Sequence, residues 1–383
     1  MAASVSRPGL GVISLAQNAG GIAYVGRLIL RALRDSGTDP WIAELGVERR
    51  DTAGPAARAR FALRLVGAQV TRRVDWMLFN HVGVARAQRA IPAVLRVPYG
   101  VFVHDVEAWD PGLDESRLRT LADAAVVISN SAYTARRVEE AHGPRVHVVP
   151  CPLGLSDREA VAGVPDAELL AKCSRPTALI VGRIMADERY KGHDHLIDAW
   201  PAVRAAIPDA QLIVAGWGDD IGRLREKADA LGVGDAVIFA DYVSEATLAA
   251  LFTRVAVYAM PSAREGFGLV YLEAMRNGVP CIGSTLDAAS EVIADGESGF
   301  IVNRDEPREL VGALVALLGD PALRAKMGAA GRRRFESRFT YEHFRERLLP
   351  ILERAFPGTK LDHPTGGLNQ PRAPHGHARA IRF

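Results

Sequence analysis

Two acidic residues and two glycines in the second half of the chain carry the clearest chemical signal. Glu265 is followed by Gly266 and Gly268, and Glu273 comes eight positions after Glu265. Glycines let backbone amides approach a ligand, and a helix beginning near Leu269 would direct its positive end toward that ligand. If the helix began earlier, both acids would share one face. Carboxylates in a cleft can bind hydroxyls or stabilise positive charge. A solvated acidic helix would explain the acids but not the glycines.

Two basic residues follow an apolar run earlier in the chain. Arg183 comes just after Ala178–Val181, and Lys191 lies eight positions after Arg183. An arginine can bind phosphate with two hydrogen bonds and a lysine acts as a point charge, so the pair could neutralise one diphosphate without a metal. Asp187 and Glu188 lie between them, and the alternative is a solvated loop with balanced charges.

Further candidates follow apolar runs in the first half of the chain. Gly20 and Gly21 precede a predicted helix whose N-terminus would attract phosphate, although the segment is neither a dinucleotide fingerprint nor a Walker loop. His104 follows the run Tyr99–Val103, and a histidine at the end of a strand can exchange a proton with a ligand. His81 has a similar position and is the runner-up. A surface histidine is the alternative for both.

Short apolar runs alternate with amphipathic stretches from end to end and fall into two series. This alternation predicts parallel sheets covered on both faces. Two series indicate two doubly wound α/β domains, rather than one closed ring of eight units. Ligands of open parallel sheets bind beyond the carboxyl ends of the strands. The predicted strands are Gly11–Leu15, Trp76–Phe79, Tyr99–Val103, Ala125–Ile128, Val146–Val149, Ala178–Val181, Gln211–Ala215, Ala236–Phe239, Val255–Ala259, Cys281–Gly283 and Gly299–Val302.

Breaks in periodicity indicate the domain boundaries. Two prolines and two glycines interrupt the pattern between residues 151 and 175, as expected of a connection. We predict an N-terminal domain over residues 1–160, a C-terminal domain over 161–340 and an amphipathic last helix over 341–356. Residues 357–383, rich in proline, glycine and histidine, are predicted to form a disordered tail.

The overall composition excludes several classes of protein. The 383 residues include 48% hydrophobic and 24% charged residues, a globular rather than a disordered mixture. A net charge of +2 is too small to predict nucleic-acid binding. Three cysteines without a close pair favour a cytoplasmic location, and no apolar run is long enough to predict a membrane span. His193 and His195 flank Asp194, but adjacent helix positions do not face each other, so we expect no metal there.

The order of these motifs resembles one enzyme family. The matching residues are Val181-Gly182-Arg183, Lys191-Gly192, Glu265-Gly266-Phe267-Gly268 and Glu273. They are similar to those of the retaining glycosyltransferases of family 4, or glycosyl transferases group 1, and the resemblance covers residues 9–356. It implies the GT-B fold, in which two Rossmann-like domains face each other across a cleft and a C-terminal helix crosses back to the first. It also implies a nucleoside-diphosphate sugar donor, a glycan or lipid-linked acceptor, polysaccharide or glycolipid assembly, and no metal or other cofactor.

The resemblance assigns a role to each candidate residue. Arg183 and Lys191 would hold the diphosphate, Glu273 the ribose, Glu265 the donor sugar, and the amides of Phe267, Gly268 and Leu269, beside Gly266, sugar or phosphate. Gly20 and Gly21 would close over the phosphates, and His104 would lie near the reacting face of the sugar. Glu265, His104, Arg183 and Lys191 would be catalytic. Such enzymes transfer sugar through an oxocarbenium-like transition state, in which cations and the helix end stabilise the leaving diphosphate.

The sequence departs from the family pattern in two places. The spacing of eight positions between Arg183 and Lys191 is longer than the five or six common in the family. The usual Gly-Gly before a Pro-Glu turn is replaced by the segment Asp287–Glu291. We interpret the residues around Glu291 as scaffold.

Other functions and a second surface remain open. The rivals are a GT-B-shaped sugar-nucleotide epimerase or phosphorylase, and a non-catalytic nucleotide-sugar-binding subunit. Residues 49–73 contain seven arginines and one acid. They predict either a basic amphipathic helix that docks on an anionic membrane surface, on the inner face of the membrane, or a core-facing helix with solvated arginines.

Overall fold

The computed structural model describes residues 6–17, 19–46, 53–110, 112–156 and 163–363. These residues form two parallel sheets of six strands each, in the orders β2-β1-β3-β4-β5-β6 and β12-β11-β10-β7-β8-β9. The strands are β1 (Pro8–Val12), β2 (Trp41–Glu44), β3 (Trp76–Phe79), β4 (Tyr99–Val103), β5 (Val126–Ser129), β6 (Val148–Pro150), β7 (Thr177–Val181), β8 (Gln211–Ala215), β9 (Val237–Asp241), β10 (Val257–Ala259), β11 (Cys281–Ser284) and β12 (Gly299–Val302).

Helices connect successive strands, as the crossover rule for parallel sheets requires. They are α1 (Gly21–Asp35), α2 (Pro55–Val70), α3 (Val82–Ala85), α4 (Val106–Trp109), α5 (Glu115–Ala122), α6 (Ala132–His142), α7 (Ala167–Ala171), α8 (His193–Ala206), α9 (Ile221–Ala230), α10 (Glu245–Leu251), α11 (Leu269–Arg276), α12 (Ala289–Val292), α13 (Pro307–Gly319), α14 (Pro321–Arg338) and α15 (Tyr341–Ala355). None of the helices among the residues so described is both long and apolar enough to cross a membrane.

Inner strands of both sheets are buried because helices cover both faces of each sheet. Every residue of β4 and of β8 is buried, which explains why both appear in the sequence as largely apolar runs. One predicted strand was misplaced and one strand was missed. β1 begins and ends three residues before the predicted Gly11–Leu15, and β2 was not predicted at all.

The last helix returns to the first domain. The Tyr341 hydroxyl donates to Asp35 Oδ2 at 2.6 Å, and the ring of Phe356 stacks on that of Trp76 with centroids 4.3 Å apart. The chain crosses between the domains a second time beside this helix, where the Leu155 N–H donates to a carbonyl just before α15. The returning helix therefore follows the prediction.

The two-domain α/β architecture is confirmed, and the alternative of one closed ring is wrong. The boundaries at residues 160 and 340 stay predictions, although the two sheets lie on either side of residue 160. Most of the predicted tail, residues 364–383, lies outside the described residues.

Candidate active site

The two predicted cations lie beside two carboxylates. Lys191, at the end of a short 3-10 turn, places its ammonium nitrogen 3.7 Å from Glu265 Oε2 and 3.9 Å from Glu188 Oε2. Arg183 forms an ion pair with the other carboxylate oxygen of Glu188. The side chains of Lys191, Glu188 and Glu265 are 15%, 11% and 23% exposed, whereas that of Arg183 is 60% exposed. The structure thus brings Arg183, Lys191 and Glu265 together beyond β7 and β10.

Backbone hydrogen bonds hold the loop of Glu265 against the turn of Lys191. The Ala263 N–H donates to the Tyr190 carbonyl at 2.9 Å, and the Ala288 N–H donates to the Glu265 carbonyl at 3.1 Å. The position of Glu265 is therefore fixed by the neighbouring loops on both sides, which leaves its carboxylate free to interact with Lys191 or with a ligand.

Gly266 lies where the two domains touch. A Cβ atom on this residue would lie 1.8 Å from the carbonyl oxygen of His104, so only glycine permits the contact. Ser131 Oγ donates to the Gly266 carbonyl at 2.6 Å, and Asn130 Nδ2 donates to the His104 carbonyl at 2.8 Å. The loop that carries Glu265 is thereby joined to the residues that follow β4 and β5.

His104 is buried at this contact and has a defined tautomer. Its Nε2–H donates to the Asn80 carbonyl at 2.7 Å, because a carbonyl can only accept. Burial lowers the pKa of His104 below its ordinary value, so the ring is neutral at pH 7. The ring of His81 lies 6.4 Å away, and its Nδ1 accepts from the Gly83 N–H at 2.9 Å. His104, rather than His81, contacts the loop of Glu265.

The glycine-framed loop ends at the helix predicted from the sequence. α11 begins at Leu269, and its N-cap residue, Gly268, has a φ of +84°, a conformation that favours glycine. Only Glu273 lies on α11, so the two acids do not share a helix face. The ring of Phe267 is buried and packs edge-on against Phe339, with centroids 6.1 Å apart. Any ligand contact of residue 267 would therefore come from its backbone amide.

Glu273 lies where α11 meets the first domain. It is partly buried, and loss of hydration, with a small contribution from Glu245, raises the pKa of its carboxyl to about 7 against the opposing charge of Arg276. The hydroxyl of Tyr24, on α1, accepts from the Ser156 N–H at 2.8 Å, and the charge of Glu273 is among those that act on the pKa of this hydroxyl. A carboxylate here could accept hydrogen bonds from a pair of hydroxyls.

The loop before α1 approaches the same helix end. Gly20 is the N-cap of α1 with a φ of +86°. A Cβ atom on Gly21 would lie 3.7 Å from Leu269 Cδ1. Gly21 therefore lies close to the start of α11, while contact of either glycine with a phosphate stays a prediction.

Glu291 joins the domains, which the sequence did not reveal. Its carboxylate accepts from the Ala132 N–H at 2.9 Å and from the Tyr133 N–H at 2.5 Å, across 159 and 158 positions of the chain. These amides open α6, so the carboxylate caps a helix of the other domain, where a negative charge is stabilising. The interpretation of Glu291 as scaffold missed this contact because its partners are remote in sequence.

Arg304 is a second residue that the sequence did not reveal. It is 7% exposed, and its guanidinium donates to the Tyr190 carbonyl at 2.5 Å and to the unprotonated ring nitrogen of His195. The Tyr190 carbonyl therefore accepts from both Arg304 and Ala263. Arg304 thus supports the turn that carries Lys191, and His195 contacts an arginine. No group of three or more potential metal ligands occurs among residues with a described placement.

The basic segment forms α2, which has one buried and one exposed side. Phe61 and Leu65 are buried and pack against the first sheet, as the core-facing interpretation predicts. Arg60 is exposed, and Leu63 and Val70 on the same side are 71% and 51% exposed. Residues 49–52 of the segment lie outside the described ones.

The chain is similar in sequence to known proteins. Residues 166–334 match the family model of glycosyl transferases group 1. The chain is 34% identical over 222 residues to a GDP-mannose-dependent alpha-(1-6)-phosphatidylinositol monomannoside mannosyltransferase of Mycolicibacterium smegmatis, a match that covers 55% of this chain and 57% of that protein. It is 32% identical over 262 residues to the GDP-mannose-dependent monoacylated alpha-(1-6)-phosphatidylinositol monomannoside mannosyltransferase of Corynebacterium glutamicum, covering 65% of this chain and 68% of that protein.

A solved structure supports the same fold. Sucrose-phosphate synthase from Thermosynechococcus elongatus superposes with a TM-score of 0.75 at 21% identity, covering 91% of this chain and 99% of that one. One assignment follows from three findings: the two parallel sheets, the helix that returns to the first domain, and the match to the Corynebacterium protein. The chain belongs to the glycosyl transferases group 1 family and has the GT-B fold.

Proposed function

We propose that the protein is a retaining glycosyltransferase that moves a sugar from a nucleoside-diphosphate sugar to a lipid-linked acceptor. The main observation behind this proposal is that Lys191 Nζ lies 3.7 Å from Glu265 Oε2. The loop that carries Glu265 contacts His104 of the other domain. A cation for the diphosphate and a carboxylate for the sugar thus meet in the cleft. The names of the two mannosyltransferase relatives support GDP-mannose as the donor and a phosphatidylinositol mannoside as the acceptor.

The proposed chemistry needs charge stabilisation where the diphosphate leaves. Lys191 and Arg183 would neutralise the developing negative charge, and the N-terminus of α11 would add its dipole. Glu265 would bind sugar hydroxyls and stabilise the positive charge of the oxocarbenium-like transition state. The diphosphate would leave and the acceptor hydroxyl would enter on the same face of the sugar, so that the bond from the sugar to phosphate breaks as the bond to the acceptor forms. The leaving phosphate would take the proton of the acceptor hydroxyl. Two cations in place of a metal support a metal-independent reaction.

The acceptor side includes a candidate membrane contact. Arg60, Leu63 and Val70 lie at i, i+3 and i+10 and share the exposed side of α2. Cationic and apolar side chains together suit a surface of anionic lipid. We propose that the protein associates peripherally with such a membrane through this side of α2, which would keep a lipid-linked acceptor close to the first domain.

Transfer of labelled sugar tests the catalytic proposal. The purified protein is incubated with EDTA, labelled GDP-mannose, UDP-glucose or ADP-glucose, and a phosphatidylinositol mannoside extract, and lipid products are separated. We expect label in lipid with GDP-mannose, retention of anomeric configuration, and roughly 100-fold less product with Glu265→Gln. Glu297→Gln, an exposed acid of the same domain, is the control. Interconversion of the donor without acceptor would support an epimerase instead, and binding without any turnover would support a non-catalytic subunit.

Co-sedimentation with liposomes of anionic or neutral lipid tests the membrane proposal. We expect salt-sensitive binding to anionic liposomes that weakens with Leu63→Ser. Val164→Ser changes an apolar side chain of the second domain that is 90% exposed and should have no effect. No binding at low salt, or equal loss in both variants, would contradict a contact through α2.

A further inference from the structure

Glu188 lies between the two cations that the proposed donor diphosphate would contact. One carboxylate oxygen pairs with Arg183, and the other lies 3.9 Å from Lys191 Nζ. We infer that Glu188 is a built-in competitor of the diphosphate, which holds the cations in the free protein and must leave them when the donor binds. This inference rests on the proposed function, since it assigns a role within the donor site.

The charges of the free site support this role. Arg183 and Lys191 contribute two positive charges, and Glu188 and Glu265 contribute two negative charges within 4 Å of them. The cluster therefore has no net charge with which to attract a diphosphate. An anion that entered without displacing Glu188 would meet a carboxylate only 11% exposed to solvent, and shielding from water strengthens that repulsion.

The backbone of the turn is held by bonds that do not involve the Glu188 carboxylate. The Glu188 N–H donates to the Met185 carbonyl at 2.9 Å, and the Glu188 carbonyl accepts from the Lys191 N–H at 3.1 Å. These backbone bonds form the turn without the carboxylate, so displacing the side chain from the cations would leave both bonds intact. Glu188 lies in the loop that is longer than the family pattern.

Competition has a consequence opposite to that of a supporting contact. If Glu188 only positioned Arg183 and Lys191, removing its charge would weaken binding of a diphosphate. If it competes, Glu188→Gln frees both cations, removes a repulsion and tightens binding. We expect an affinity about three- to tenfold higher, because the Arg183 side chain is 60% exposed and its ion pair with Glu188 therefore has a modest free energy.

Isothermal titration of the full chain with GDP, UDP and ADP in EDTA tests this difference. The neighbouring Asp187→Asn is the matched control, because it removes the same formal charge from the same loop at an exposed side chain. We expect a lower Kd for the diphosphate with Glu188→Gln and with Glu188→Ala, and a smaller change with Asp187→Asn. The Kd for the corresponding nucleoside, which lacks phosphates, should be unchanged in all variants.

The possible results separate the inference from the proposed function. Unchanged or weaker diphosphate binding by both Glu188 variants, with binding by the wild type, would overturn the competitor role alone. An equal gain with Asp187→Asn would also overturn it, because bulk charge would then explain the effect. No diphosphate bound by any of the proteins would contradict the donor site itself.

Discussion

The ammonium group of Lys191 lies 3.7 Å from a carboxylate oxygen of Glu265, and the two side chains are 15% and 23% exposed. Lys191 follows β7 and Glu265 follows β10, and these strands pair side by side in the second sheet. Their carboxyl ends therefore open at the same edge, where ligands of open parallel sheets bind. In the proposed function Lys191 would contact the diphosphate and Glu265 the sugar, so the pair would lie at the bond that is broken.

Lys191→Met removes the cation of this pair and keeps the apolar stem. We expect kcat/KM for the donor to fall by roughly 100-fold, because the variant lacks a preorganised positive charge that would stabilise the leaving diphosphate. Steady-state kinetics with labelled donor measures the change. Lys227→Met is the control, since Lys227 is a similarly shielded lysine paired with Asp194 and Asp198. A kcat/KM for Lys191→Met within about threefold of the control would contradict the assigned role.

Glu273→Gln should make stability depend less on pH. Burial raises the pKa of Glu273 to about 7 in the folded protein, above the ordinary carboxyl value near 4.3 of the unfolded chain. The folded state therefore favours the protonated form, so this contribution to stability is present below pH 4 and is lost as pH rises through 7. We expect the variant to gain roughly 2 kcal/mol relative to wild type between pH 5 and pH 8.5.

Thermal and denaturant unfolding at both pH values measures this gain. Glu336→Gln changes a glutamate with a 57% exposed side chain in the same domain and should show no such pH dependence. A difference between Glu273→Gln and wild type that is the same at both pH values would contradict the raised pKa.

Glu291→Gln should loosen the contact between the domains. The two oxygens of the Glu291 carboxylate accept from two N–H groups of α6. A glutamine has only one such oxygen, and its NH2 group would face the second N–H, where two donors repel. We expect kcat to fall about tenfold, because charge-assisted hydrogen bonds of this kind have net free energies of 1.5–3 kcal/mol, while the Kd of the diphosphate changes little. Small-angle scattering should show a larger radius of gyration than for Glu297→Gln. An unchanged radius with unchanged kcat would contradict the proposed link.

Arg304→Met should impair the donor site although Arg304 is not expected to touch the donor. Its bond to the Tyr190 carbonyl supports the turn of Lys191, and a displacement of about 1 Å at a reacting group lowers rates by up to about 100-fold. The control is Arg324→Met. It removes similar hydrogen bonds from an arginine to backbone carbonyls, those of Leu317 and Leu318.

Melting temperature and kinetics together separate the two effects. Both variants should lose stability, but only Arg304→Met should raise the donor KM and lower kcat, with partial rescue by Arg304→Lys. Equal kinetic losses in both variants would show that Arg304 acts through stability alone.

The sequence predicted the parts of the molecule that local patterns specify. Strands buried on both faces, such as β4 and β8, are largely apolar in the sequence, and the prediction gave the bounds of these two strands to the residue. β2 was missed because it has four residues and only Ala43 is fully buried. Motif order led to Lys191, Glu265 and Glu273, since each follows a strand or a glycine turn.

Contacts between segments that are far apart in the sequence were not predicted. Glu291 caps a helix 158 positions away, and Arg304 supports a carbonyl 114 positions away. Neither residue has a neighbour in sequence that indicates its partner, because the contact exists only once both sheets are formed. Glu188 was recognised as a balancing charge, but its position between the two cations required the folded loop.

Titration of the wild-type protein with GDP, UDP and ADP in the presence of EDTA tests the central claim most directly. The account predicts that GDP binds in a 1:1 complex without metal, and that Glu273→Ala weakens this binding while Glu336→Gln does not. Absence of binding by all three diphosphates, or binding that Glu273→Ala leaves unchanged, would contradict the assignment of this cleft as a nucleoside-diphosphate-sugar site.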